Sequence, residues 1–223
     1  VIEVVMILCR LVSVLTTIGI VLVLSVDTFK FFTEVSIVSF LTDTQWTPLF
    51  EDKHFGILPL LSGTLLTTFI AILLAVPVGI TIAVYLNEYA SKKFTSIVKP
   101  ILEMLAAIPT VVYGFFALQF VTPLLQKFIP GLSGFNALSP GLVMGVMIIP
   151  YITSLSEDAL RAVPKSLREA SYGLGANRFQ TAFRVIVPAA NSGIIVSVIL
   201  AISRALGETM IVAIAAGQEP KLT

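Results

Sequence analysis

Arg204 and Glu208 are the residues of this chain best equipped for chemistry, because both lie inside the apolar run from Pro188 to Ala216. A charged side chain in the hydrocarbon core costs at least about 2.5–3.5 kcal/mol on insertion scales, so it must pair or face water. The four-residue spacing predicts one helical turn between the two and a shared face. Arg204, protonated at every physiological pH, offers a planar fork of N–H donors that matches the oxygens of an oxyanion. Glu208 then either holds that fork in place or takes a proton from the bound anion. The same two residues also make sense as a self-neutralising pair whose only task is to fix helix packing. The local sequence allows both readings.

A second constellation stands between two apolar runs: Glu169-Ala170-Ser171, three residues, Gly175, and then Val187-Pro188. Taken alone it predicts an amphipathic surface helix over Pro164 to Tyr172, ended by Gly173 or Gly175. Other polar residues are weaker candidates. Glu103 falls at the start of a predicted span, where a carboxylate at a helix N-terminus is stabilising, so capping is its expected role. His54 stands with no second ligand nearby, and the lone Cys9 in an apolar run supports neither a disulfide nor a thiolate site, so no metal is expected. Trp46, Phe55, Tyr85 and Tyr89 fit aromatic belts at a membrane surface. No catalytic residue is expected. The chain lacks a Gly-x-x-x-x-Gly-Lys-Ser/Thr phosphate loop, a His-Glu-x-x-His helix and a Gly-x-Ser-x-Gly elbow, and Gly173-Leu174-Gly175 is too short for a dinucleotide fingerprint.

These residues must be positioned by membrane helices. Of the 223 residues, 57% are hydrophobic and 12% charged, with a mean hydropathy of +0.99. A soluble domain carries about 25% charged residues, so a wetted surface is excluded. Spans of about 20 apolar residues are predicted at Val4–Val26, Gly56–Asn87, Ile101–Gln126, Pro140–Ser156 and Pro188–Ala216. Pro77 and Gly79 predict a kinked or broken second span packed inside a bundle. The segment 27–55, with Val35-Ser36-Ile37-Val38-Ser39-Phe40 and Trp46-Thr47-Pro48, reads as a lid or short strands.

Lys92, Lys93, Lys99, Arg161, Lys165, Arg168, Arg178 and Arg184 fall in two short loops. The positive-inside rule places both in the cytoplasm together with the N-terminus, and leaves 27–55 and 127–139 outside. Topology thus accounts for the basic residues, and nucleic acid is not an expected partner. The first apolar run is too long for a cleavable signal peptide and lacks a small-residue cleavage site. Five spans leave the C-terminus outside, so a sixth span is expected beyond Thr223. The expected fold is all-α: a single transmembrane domain over 1–223, a polytopic helix bundle with an extracytoplasmic segment at 27–55 and a cytoplasmic loop at 157–187.

Longer matches narrow the reading. They are Gly56-Ile57-Leu58-Pro59-Leu60-Leu61-Ser62-Gly63-Thr64-Leu65, Val76-Pro77-Val78-Gly79, Leu86-Asn87-Glu88-Tyr89-Ala90, the run Leu102 to Gly114, and Arg204-Ala205-Leu206-Gly207-Glu208-Thr209-Met210. Together they resemble the C-type permease subunit of bacterial high-affinity phosphate ABC importers, over a stretch from Asp27 to Ala216. Pro-Thr-Val-Val-Tyr-Gly, ending at Gly114, and Arg-Ala-Leu-Gly-Glu-Thr, starting at Arg204, are the most specific parts. The stretch 169–188 resembles the coupling loop of ABC importer permeases, with Ser171 in place of a second Ala and Val187 in place of Leu.

The resemblance implies the ABC importer permease fold and inward transport of inorganic phosphate across the bacterial inner membrane by alternating access. It implies no hydrolysis and no cofactor on this chain, with ATP bound by a separate ATPase. The implied partners are a second homologous permease, an ATPase dimer, a periplasmic phosphate-binding protein and membrane lipid. Glu169, Ala170, Ser171, Gly175 and Pro188 would form the ATPase dock, with Glu157 and Asp158 facing the coupling loop or the ATPase. Arg204 would bind phosphate. Glu208, as acceptor of hydrogen phosphate's proton, would help reject sulfate, which has none to give near neutral pH. One rival is the same architecture serving sulfate, molybdate or phosphonate. Another is a gradient-driven secondary transporter or channel, which would show inverted halves with paired broken helices and no ATPase dock. A purely structural scaffold is disfavoured by the intramembrane charges.

Overall fold

The structure, a computed structural model, describes residues 2–217 and divides into two compact units, the first reaching Leu61 and the second starting at Ser62. In the first unit, α1 (Ile2–Glu34) is longer than the predicted span, running past Asp27 and Lys30, which pair at 3.8 Å on its surface. The hydroxyls of Thr16, Thr17, Ser25 and Thr28 each bond the carbonyl four residues earlier, so these four polar side chains are satisfied within the helix. The strands expected near Val35–Phe40 do not form. That segment folds as α2 (Ile37–Thr42), and the only β pairing among the described residues is a bridge between Trp46 and Phe55.

The physical reason is aromatic packing. Phe31 stacks edge-to-face with Phe32, Phe40 and Phe55 at 5.2–5.7 Å between ring centroids, which folds the segment back onto the end of α1 and leaves no extended neighbour to pair with. Asp43 closes the loop, accepting from the Gln45 N–H at 3.0 Å and lying 2.7 Å from His54 Nδ1. The His54 bond holds the Asp43 carboxyl below its ordinary value of 3.8, aided by Gln45. This tie is therefore present above that value and is lost as pH falls through the lower, folded one. Only glycine fits at 56, since a Cβ there would lie 2.1 Å from the Asp43 carbonyl oxygen.

α3 (Leu58–Glu88) begins in the first unit and lies mostly in the second. Of the kink or break predicted at Pro77 and Gly79, the break does not occur, and the helix runs through Pro77. A proline costs a membrane helix little where neighbouring groups engage the local backbone, and here the Thr81 hydroxyl bonds the Pro77 carbonyl at 2.6 Å while Thr153 bonds that of Gly79 at 3.2 Å.

α4 (Lys92–Ala107), N-capped by the Ser91 side chain on Phe94 N–H, takes up the start of the predicted third span. The true span starts at Thr110 because Pro109 forces Ile108 into extended backbone, φ −64° and ψ 130°. It consists of α5 (Thr110–Phe116), a π-helical stretch Ala117–Val121 and α6 (Thr122–Phe128). Glu103 thus sits near the C-terminal end of α4, and its expected capping role at a helix N-terminus is ruled out.

α7 (Leu138–Arg161) is the central helix of this unit, burying Met144, Met147, Ile148 and Ile152 against Ala71 and Ala75 of α3. Gly141 and Gly145, one turn apart, let the two backbones approach: a Cβ on Gly145 would lie 3.0 Å from the Ala71 carbonyl oxygen.

α8 (Lys165–Gly173) and α9 (Arg178–Thr181) follow, then a π-helical stretch Ala182–Ile186 and α10 (Val187–Ala189). The chain then bends by 69° into α11 (Asn191–Leu206) and ends its described part with α12 (Met210–Ala215), which packs on α5. Among the described residues, four helices are long and apolar enough to cross a membrane, or five if the bent pair is one span. α11 meets α7 through a buried Ser156–Ser197 hydroxyl bond of 2.8 Å and through Gly193, where a Cβ would lie 2.5 Å from Ala159 Cβ. Gly193→Val should therefore separate these helices at a cost of about 1–3 kcal/mol. Reduced membrane abundance, restored in part by pairing it with Ala159→Gly, is the expected measurement.

Candidate functional site: the loop helix and the broken fifth span

The constellation at 169–175 folds as α8 and its C-terminal turn. Gly175 adopts φ +84°, while the Ala176 N–H reaches the Ser171 carbonyl at 3.2 Å and the Gly175 N–H reaches that of Tyr172 at 2.9 Å. These are the paired bonds of a Schellman stop, so Gly175, not Gly173, ends the helix. α9 begins at once with a capping box between Asn177 and Gln180. Glu169, Ala170 and Gly175 are exposed. Ser171 is not: its hydroxyl meets that of Thr181 at 2.9 Å, a buried link between α8 and α9. Pro188 stands in α10, beside the 69° bend and away from α8 in the chain. Leu174 is 90% exposed and Phe179 63%, and Leu167, Tyr172 and Phe183 are exposed on the same loop.

Ion pairs anchor this end of the bundle, and sequence reasoning missed them. Arg168 Nη1 lies 2.8 Å from Glu88 Oε1 at the end of α3, and its Nη2 donates to the Leu160 carbonyl at 3.1 Å. Asn87 Nδ2 donates to the same Glu88 oxygen at 2.6 Å. One helical position before Asp158, Glu157 is fully buried, and its carboxylate is held by Lys99 of α4 and Arg161 of α7. The expectation that Glu157 faces the coupling loop or a partner is therefore corrected, while Asp158 is exposed. The i,i+4 spacing of Glu157 and Arg161 was visible in the sequence, whereas the pairings of Glu157 with Lys99 and of Arg168 with Glu88 were not. Glu103 lines a cavity of about 200 Å³ with Lys99, Tyr151, Ser154 and Glu157.

Arg204 and Glu208 do not share a helical face. α11 stops at Leu206, with the Gly207 N–H on the Ser203 carbonyl at 3.1 Å. Glu208 falls in the break, and its Oε1 accepts from the N–H groups of Met210 and Ile211 at 3.2 and 3.5 Å, at the start of α12. The spacing argument presumed a continuous helix, which Gly207 ends. Arg204 is exposed in the last turn of α11, where the helix dipole favours a cation. Among the described residues it makes no ion pair or hydrogen bond, which removes the self-neutralising pair.

Residues 75–221 match the profile of a family described as the inner membrane component of binding-protein-dependent transport systems. The chain belongs to this family. A probable ABC transporter permease, YqgH of Bacillus subtilis, is 38% identical over 94% of this chain and 68% of its own length. Phosphate transport system permeases named PstC are 37% identical in Mesorhizobium japonicum and 38% in Haemophilus influenzae, over 83% and 82% of this chain. The chain spans 62% and 64% of the lengths of those two. Among solved structures, the MetNI methionine ABC transporter in an inward-facing conformation matches with a TM-score of 0.52 and 22% identity, over 68% of each chain, a likeness of fold. This ABC-transporter permease is thus all-helical and multi-pass, as its sequence predicted.

Proposed function

We propose that this permease carries inorganic phosphate inward across the bacterial inner membrane, as half of the pathway of an ATP-driven importer. It works beside a second homologous permease, and a periplasmic receptor delivers the anion. An ATPase dimer binds and hydrolyses ATP, with no cofactor and no catalysis on this chain. The N-terminus and α8 lie on the cytoplasmic side. What supports phosphate as the cargo is the 37–38% identity with relatives named as phosphate permeases. Arg204 supports it further, as a guanidinium exposed in the last turn of α11 and unpaired among the described residues. Uptake of radiolabelled phosphate tests the reading: unlabelled phosphate should compete and excess sulfate, molybdate or phosphonate should not. Competition by one of those anions in preference to phosphate would transfer the same architecture to that substrate.

The ATPase dock is α8 with its turn, through exposed Glu169, Ala170 and Gly175 and the apolar Leu174 and Phe179; Ser171 supports it from within and Pro188 from the bend. Apolar side chains exposed together on one loop form a surface that a partner covers. Nothing lies within 4 Å of a Cβ built on Gly175, so replacing it strains only the backbone, at its φ of +84°. Gly175→Val should cost about 1–2 kcal/mol locally. The protein should still insert, with weakened ATPase co-purification and reduced uptake. Unchanged co-purification and full uptake would count against the dock.

A further inference from the structure

α8 has two physical connections to the membrane helices. One is covalent and sequential, through α9, the π-helical stretch and α10 into the bent α11, and α8 packs along this route through the buried Ser171–Thr181 bond. The other is the Arg168 side chain. Beside α8 opens a groove of about 330 Å³, lined by Asn87, Arg161, Val163, Lys165, Arg168 and Tyr172 among others. Arg168 reaches from α8 with both arms of its fork, one to Glu88 at the end of α3 and one to the Leu160 carbonyl near the end of α7. Glu88 is 5% exposed and is fixed in turn by Asn87, so the acceptor is held in place.

We propose that Arg168 is a strut: it transmits displacement of the coupling helix to α3 and α7, in parallel with the covalent route to α11. This rests on the reading of α8 as the ATPase dock. A planar, two-armed donor suits the task because it holds α8 against two elements at once, and fixes orientation as well as distance. Glu169 and Ala170, next along α8, stay exposed for the partner. Arg168 is thus a positioning residue, in contact with neither ATP nor substrate.

The test is made on the whole transporter in proteoliposomes, reading phosphate moved per ATP hydrolysed. A Ser166→Cys reporter, at an exposed position of α8 outside the dock residues, measures crosslinking to the ATPase. Arg168→Gln should retain ATP hydrolysis and the crosslink but lower the transport ratio by about tenfold, the scale of one charged hydrogen bond. Arg168→Lys, which keeps the charge but lacks the second arm, should fall between. The exchanged pair Glu88→Arg/Arg168→Glu restores the ion pair but not the bond to the Leu160 carbonyl, since a carboxylate cannot donate, so it should recover the ratio no further than Arg168→Lys does. A wild-type ratio in Arg168→Gln overturns the strut, and with the crosslink intact it leaves the dock standing. Absence of the crosslink in otherwise unaltered protein overturns the dock and the strut with it. Should Arg168→Gln fail to insert, Arg168→Lys decides: a wild-type ratio in that variant, with the second arm gone, overturns the strut, and a lowered ratio with the crosslink intact supports it.

Discussion

Arg204→Gln should abolish phosphate uptake while leaving membrane abundance near wild type. Arg204 is exposed and unpaired among the described residues, so removing its charge orphans no partner, and little stability should be lost. A charged contact to an anion lost from a water-poor pathway is worth about 2–5 kcal/mol, a fall in uptake on the order of a hundredfold. Arg204→Lys should be partly active, since an ammonium keeps the charge without the fork. Glu208 separates two further outcomes. Its oxygen serves the first N–H groups of α12, a role that a glutamine carbonyl oxygen can also fill. Glu208→Gln should therefore be mild if that contact is its whole function, and severe if it must take the substrate's proton. An Arg204→Met/Glu208→Met chain that transports phosphate would sink the substrate role of Arg204.

The second large effect is expected at Glu157. This carboxylate is fully buried and held by Lys99 and Arg161. Glu157→Gln leaves two cations side by side without their counter-charge. Arg161 can turn to water, its side chain being 61% exposed, whereas Lys99 at 29% cannot do so as easily. Breaking a buried pair from one side costs about 3–5 kcal/mol, whereas replacing both partners by apolar groups is often neutral. The purified protein should lose on the order of 10 °C in Tm, and Glu157→Met/Lys99→Met should recover most of it. An unchanged Tm in the single variant would show that the carboxylate holds nothing together.

Local sequence determined a great deal here, because a membrane leaves the backbone few choices. With no water to satisfy peptide groups, long apolar runs must be helices. The spans around α1, α3, α7 and α11, the turn at Gly175 and the helix before it were all legible from composition and spacing. Three things were not. The break at Ile108-Pro109 moved the third span to Thr110 and left Glu103 at the wrong end of a helix. Phe31, Phe40 and Phe55 folded a β-rich segment into α2. Gly207 ended α11 one residue before Glu208 and dissolved a pair that the spacing had made plausible.

In each case a one-dimensional period was interrupted by a proline, a glycine or a contact from residues apart in sequence. Between helices, tertiary structure alone decided which charges meet. Arg168 finds Glu88 eighty positions away, and Lys99 finds Glu157, because helix packing places them together. Along the sequence these residues read only as the basic and acidic flanks of spans. A charge's sign and its membrane side are properties of its neighbours in the chain, whereas its partner is a property of the fold.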